Sequence, residues 1–145
     1  MTPAEVKAEL VALKAEMGSR ANASASIDAS PHRGRQNIFL HAYPHGYAGK
    51  SISVWADDWA DGLRQLRAIW EEAAERLRAE HVRKMALAII RITAEQGVCT
   101  NAALRADEFN DDDVERYGTA AVEDANGIAA NGPFSITRLA GANAA

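Results

Sequence analysis

The sequence predicts an α+β fold: an N-terminal helix, a three-stranded antiparallel meander, a long helix, then a small helical segment and a terminal strand. Three observations carry this. Apolar residues recur at helical spacing in 3–17 and again from about 58 to 97. The stretch between them alternates with period two, as strands do. Glycine and proline mark the places where one period gives way to the other.

The first helix opens at Thr2-Pro3-Ala4-Glu5, where Thr2 caps, Pro3 suits the first helical position and Glu5 completes a capping box. Val6, Leu10, Leu13 and Met17 form its apolar stripe, and Gly18 stops it. Ala23, Ala25, Ile27 and Ala29 alternate with Ser24, Ser26, Asp28 and Ser30, which predicts a weak, small-residue strand suited to a sheet edge. Pro31 to Arg35 is a basic turn. Asn37 to Tyr43 is a stronger strand, with Ile38, Leu40 and Ala42 on one face and Phe39, His41 and Tyr43 on the other. Pro44 to Lys50 is a loop, and Ser51 to Trp55 a third strand with Ile52 and Val54 on one face.

Asp57 and Asp58 are both good caps for the helical region that follows. Trp59, Leu63, Leu66, Trp70, Ala73 and Leu77 make its stripe, and from Met85 through Ile92 it is apolar nearly all round, as a buried helix is. Gly97 ends it; the pattern leaves open one helix or two, broken near residue 80. Thr100 to Ala106 predicts a short helix, and Asn110 to about Ala129 another. Asn131-Gly132-Pro133 is a turn and Phe134 to Leu139 a final strand. The organisation expected is an α-β-β-β-α unit over 1–80, a helical segment over 81–140 packed on it in one compact domain, and a tail at 141–145.

The net charge of −4 is unevenly spread. Residues 18–56 carry four basic groups and one Asp, and residues 98–145 carry three basic and eight acidic groups. The middle is therefore basic and the end acidic. Cys99 is the only cysteine, so no intrachain disulfide forms, which fits a reducing, cytoplasmic setting. The start of the chain reads as a charged helix rather than a signal peptide, and Met85 to Ile90 is too short an apolar run for a membrane span.

No residue group predicts catalysis, a metal or a cofactor. His41 and His45 are four apart, but on a strand and a loop rather than on one helical face, and no cysteine pair joins them. Asp111, Asp112 and Asp113 with Glu115 suggest calcium, yet the sixth position of that loop, which needs glycine, is Arg116. Carboxylates at a helix N-terminus are favoured by its dipole, so capping and a solvated face explain the run. Gly46 and Gly49 match no phosphate-binding loop, the serines match no nucleophile motif, and Cys99 reads as a small core residue.

Two surfaces carry functional expectations. The first is acidic: Asp107, Glu108, Asp111, Asp112, Asp113 and Glu115, with Glu123 and Asp124, suit a basic protein partner. The leading reading is accordingly a non-enzymatic accessory or regulatory protein that binds a protein partner. The second is basic and aromatic: Arg33, Arg35, Phe39, His41, Tyr43 and Lys50 suit nucleic acid, with cations for phosphate and rings for bases. That reading needs the aromatic strand face to be the exposed one; the alternative is that this face is the core. Self-association through the aromatic residues or Met85–Ile92 is also left open, as is the acidic end folding back on the basic meander.

The order helix, three strands, helix over 3–80 resembles double-stranded-RNA-binding domains, which read phosphate and 2′-hydroxyls by shape. Their second helix opens with lysines, where this chain has Asp57-Asp58-Trp59-Ala60-Asp61. Residues 82–129 resemble the tri-helical core of helix-turn-helix proteins, whose third helix enters the major groove; here it begins Asp111-Asp112-Asp113, which phosphate would repel. The alanine-rich chain as a whole is similar to small uncharacterised proteins of phages and prophages, which implies an accessory or host-interacting role.

Overall fold

A computed structural model of the chain describes residues 1–27, 37–47, 49–129 and 132–138. The fold is α+β, in two compact units, Met1–Leu77 and Arg78–Ala145. The boundary falls within one helix.

In the first unit α1 (Pro3–Met17) opens as its sequence predicts: the Thr2 hydroxyl accepts from the Glu5 N–H at 3.2 Å. The Thr2 hydroxyl donates to the Glu5 carboxylate at 3.1 Å, so a side-chain bond replaces the expected capping box, in which Glu5 would accept from the Thr2 backbone N–H. Gly18 ends the helix at φ 127°, a left-handed conformation that glycine adopts without a Cβ clash. Strands β1 (Asn22–Ile27), β2 (Ile38–Tyr43) and β3 (Ile52–Ala56) form an antiparallel sheet in the order β1-β2-β3. The weak alanine–serine strand is at an edge, where poor pairing is best tolerated. Positions 28–30 of the strand expected there, and the basic turn, lie outside the described residues.

The register aligns Leu40 with Ala25 and Val54, and Ala42 with Ala23 and Ile52. Ile38, Leu40, Ala42, Ile52, Val54 and Ala56 are buried on one face, in a cluster with Leu13 and Met17 of α1 and Leu63, Leu66, Ala73 and Leu77 of α2 (Trp59–Gln96). Burying each large side chain stabilises by roughly 1.5–3 kcal/mol, set against the entropy of ordering the chain. Gly62 allows α2 its close approach: a Cβ there would lie 2.5 Å from Leu40 Cδ1 and 3.0 Å from Ala56 Cβ.

Helix α2 is one continuous 38-residue helix, which decides the question its sequence left open. Residues 78–84 hold neither glycine nor proline, so nothing there interrupts the hydrogen-bond ladder. Among the described residues no helix is long and apolar enough to cross a membrane.

In the second unit the end of α2 is followed by β4 (Cys99–Thr100), α3 (Asn101–Ala106), α4 (Asp111–Ile128) and β5 (Ile136–Thr137). Val82, Met85, Ile89 and Ile92 pack with Cys99, Leu104, Phe109, Tyr117 and Phe134. Leu87, at 52% exposed, departs from the all-round burial expected of this stretch. The strand expected over Phe134–Leu139 is two residues, Ile136–Thr137, paired in parallel with Cys99–Thr100. Phe134 is instead a core residue, its N–H held by the Asn126 side chain at 2.6 Å, and Leu139 is outside the described residues.

Candidate functional site

Strand alternation sends Phe39, His41 and Tyr43 to the sheet face opposite the core, and the burial of Ile38, Leu40 and Ala42 makes that the outer face. Pairing of β2 with β3 sets Trp55 opposite Phe39, with ring centroids 4.8 Å apart. Phe39 is 5.2 Å from His41, and His41 is 5.8 Å from Tyr43 in an edge-on arrangement. Tyr47, in the turn after β2, extends the run at 4.8 Å from Tyr43 and is 73% exposed. Trp55, Phe39, His41, Tyr43 and Tyr47 therefore form one unbroken row of rings. The first four are half-buried.

Small polar side chains border the rings. By register, Asn22, Ser24 and Ser26 of β1 stand opposite Tyr43, His41 and Phe39, and Ser53 of β3 opposite His41. Lys50 is exposed in the loop leading to β3, whereas Arg33 and Arg35 lie outside the described residues.

Ser24 Oγ and His41 Nε2 are 2.9 Å apart, the separation of a nucleophile and its base. The other ring nitrogen, Nδ1, is buried with no hydrogen-bond partner among the described residues, so none of them holds the imidazole in a chosen tautomer as the acid of a catalytic triad does. The pair is a cross-strand hydrogen bond that fixes the His41 ring within the row. Among the described residues no three His, Cys, Asp or Glu side chains are grouped as a metal ion requires.

The acidic residues have a different fate. Asp107 accepts from Arg91 at 2.6 Å, Asp111 is 3.7 Å from Arg105, and Asp112 is 2.9 Å from Arg116. Asp124 takes Arg83 through both oxygens, at 2.7 and 3.1 Å. Asp113, only 3% exposed, closes a capping box with Asn110 and lies 3.4 Å from His81 Nε2. His81 is itself buried, its ring edge-on to Phe109 and Tyr117. Glu108 and Glu115 are exposed and make no ion pair among the described residues. Four of these eight acidic residues are thus matched by this unit's own arginines, and Asp113 is buried as a cap.

Cys99 is fully buried, and burial, reinforced by Asp107, pushes its thiol up to about 11, far from the thiolate a nucleophile needs. Sequence reasoning placed Tyr47 in the basic, aromatic stretch but did not include Trp55 or Ser24 among the candidate residues. The alternation of Trp55 with Ile52 and Val54 already put it on the strand face opposite theirs; its meeting with Phe39 depends on the strand register. His81 carried no signal beyond its place on a helix.

Compared with known protein families, curated proteins and solved structures, the chain matches none of them.

Proposed function

We propose that this is a non-enzymatic binding protein that stacks the unpaired bases of a single-stranded nucleic acid on the outer face of its sheet. The observation that supports this reading is the unbroken row Trp55, Phe39, His41, Tyr43 and Tyr47 on a face the core does not use. Each base stacked on an aromatic ring contributes on the order of 1–3 kcal/mol, and any base has such a face once it is unpaired. Serine and asparagine side chains beside the rings suit hydrogen bonds to base edges. The net positive balance of residues 18–56 supplies phosphate attraction, through Lys50 and, in the connection before β2, Arg33 and Arg35. With so few cations in a chain of net charge −4, binding is modest and falls with salt.

The acidic-surface reading ranks second, because Asp107, Asp111, Asp112 and Asp113 already have intrachain partners. It now rests on Glu108 and Glu115 together with the exposed Glu123.

Fluorescence anisotropy with labelled single- and double-stranded DNA and RNA, at low and near-physiological salt, tests the proposal. The expected result is a preference for single strands, an affinity that falls with salt, and a roughly tenfold loss in Phe39→Ala. Absence of binding at low salt, where phosphate attraction is strongest, overturns it. Attention then passes to protein partners, and to whether charge reversal at Glu108 and Glu115 abolishes their capture.

A further inference from the structure

The first unit carries an apolar recess on the other face of its sheet. The inward positions of β1 are Ala23 and Ala25, too short to fill the space beside α1, and a groove of about 480 Å³ remains there. Val6, Leu10 and Val11 of α1 line it, with Ile27 and Trp59. Val11 and Ile27 are 58% and 60% exposed, so this unit leaves apolar surface in water at that place. The volume falls within the roughly 300–1,000 Å³ of sites for small organic ligands.

Lys7 and Lys14 also line the groove, and neither is in an ion pair among the described residues. They stand two turns apart on one side of α1, about 10 Å along its axis. Each glutamate of the helix, Glu5, Glu9 and Glu16, is two residues from a lysine and so more than half a turn round it. The helix therefore turns cations toward the groove and anions away from it. A position near the helix C-terminus accounts for Lys14, which complements the dipole, but not for Lys7.

We infer that this groove binds a free single-chain carboxylate, its alkyl chain along Ala23, Ala25, Val6 and Leu10 and its head group at Lys7 or Lys14. The apolar lining takes the chain out of water, the lysines select an anionic head, and the recessed volume suits one small molecule.

Calorimetric titration of the full chain with octanoate, decanoate and dodecanoate, all below their micellar concentrations, tests the inference. One-to-one binding is expected, about fourfold tighter for each added methylene until the groove is full. Lys7→Ala with Lys14→Ala should weaken it about five- to tenfold, and Ala25→Leu, which fills the floor, should abolish it. Should Ala25→Leu not fold, Val11→Glu at the exposed wall places a carboxylate beside the head group and should weaken binding at least tenfold. Absence of saturable binding by dodecanoate overturns the inference. Equal affinity for uncharged octyl glucoside, or binding to anionic phospholipid vesicles or an acidic amphipathic peptide without binding to dodecanoate, overturns it as well.

Discussion

The two units treat the side chains that carried functional expectations in opposite ways. In the helical unit Asp107, Asp111, Asp112 and Asp124 each meet an arginine, and Asp113 is buried as a cap against His81. In the sheet unit, five aromatic rings line a face that the core does not need. A run of carboxylates in a sequence is thus a poor guide to an acidic surface when arginines stand one helical turn away or on a neighbouring helix. Arg116 follows Asp112 by four residues, which sequence spacing alone could pair. Arg91 with Asp107, and Arg83 with Asp124, are brought together only by folding. The aromatic alternation was the better guide, because an antiparallel sheet packed on one side must turn every second residue outward.

If the acidic residues of the second unit serve its structure, breaking their contacts should cost stability, and most where burial is deepest. Asp113→Ala removes the capping box and leaves His81 without its carboxylate, so it should lower unfolding free energy by about 3 kcal/mol in a urea titration. Asp113→Asn, which keeps an acceptor for the Asn110 N–H, should cost less. A second test of the same core uses alkaline pH. Cys99 is held protonated in the fold to about 11, against 9.0 for the unperturbed thiol, so the fold binds a proton that the unfolded chain releases. Its contribution is complete below pH 9.0 and is lost as pH rises toward 11. Stability should fall across that window by roughly 2–3 kcal/mol from this group. Burial also raises Tyr117, so the difference between the native chain and Cys99→Ala isolates the thiol.

In the first unit the largest effect on folding should come from Gly62→Ala. Alanine favours a helix by about 1 kcal/mol over glycine, but its Cβ would press on Leu40 and Ala56, and a net loss of about 1–2 kcal/mol is expected in thermal unfolding. Phe39→Ala should sharpen the contrast further, weakening base stacking about tenfold while lowering stability by about 1 kcal/mol, because its ring is only half-buried. Arg83→Ala should matter least: its pair with Asp124 is largely exposed, and a loss below about 1 kcal/mol is expected. A loss of several kcal/mol at Arg83, or none at Asp113, would break the comparison.

The sequence by itself determined the element order, because capping residues, helical periodicity, strand alternation and glycine stops are local signals. Pro3–Met17, the meander and Asp111–Ile128 all lie where those signals predicted. It also assigned Ile38, Leu40 and Ala42 to one strand face and Phe39, His41 and Tyr43 to the other. Tertiary structure decided which of those faces is the core, since period-two alternation is symmetric until a helix packs on one side. It set the Phe39–Trp55 and Ser24–His41 meetings, which depend on strand register, and reduced Phe134–Leu139 to a two-residue pairing because Phe134 is needed in the core. It also matched the carboxylates with arginines far along the chain, since charge in a sequence records how many groups there are and only packing determines which of them meet.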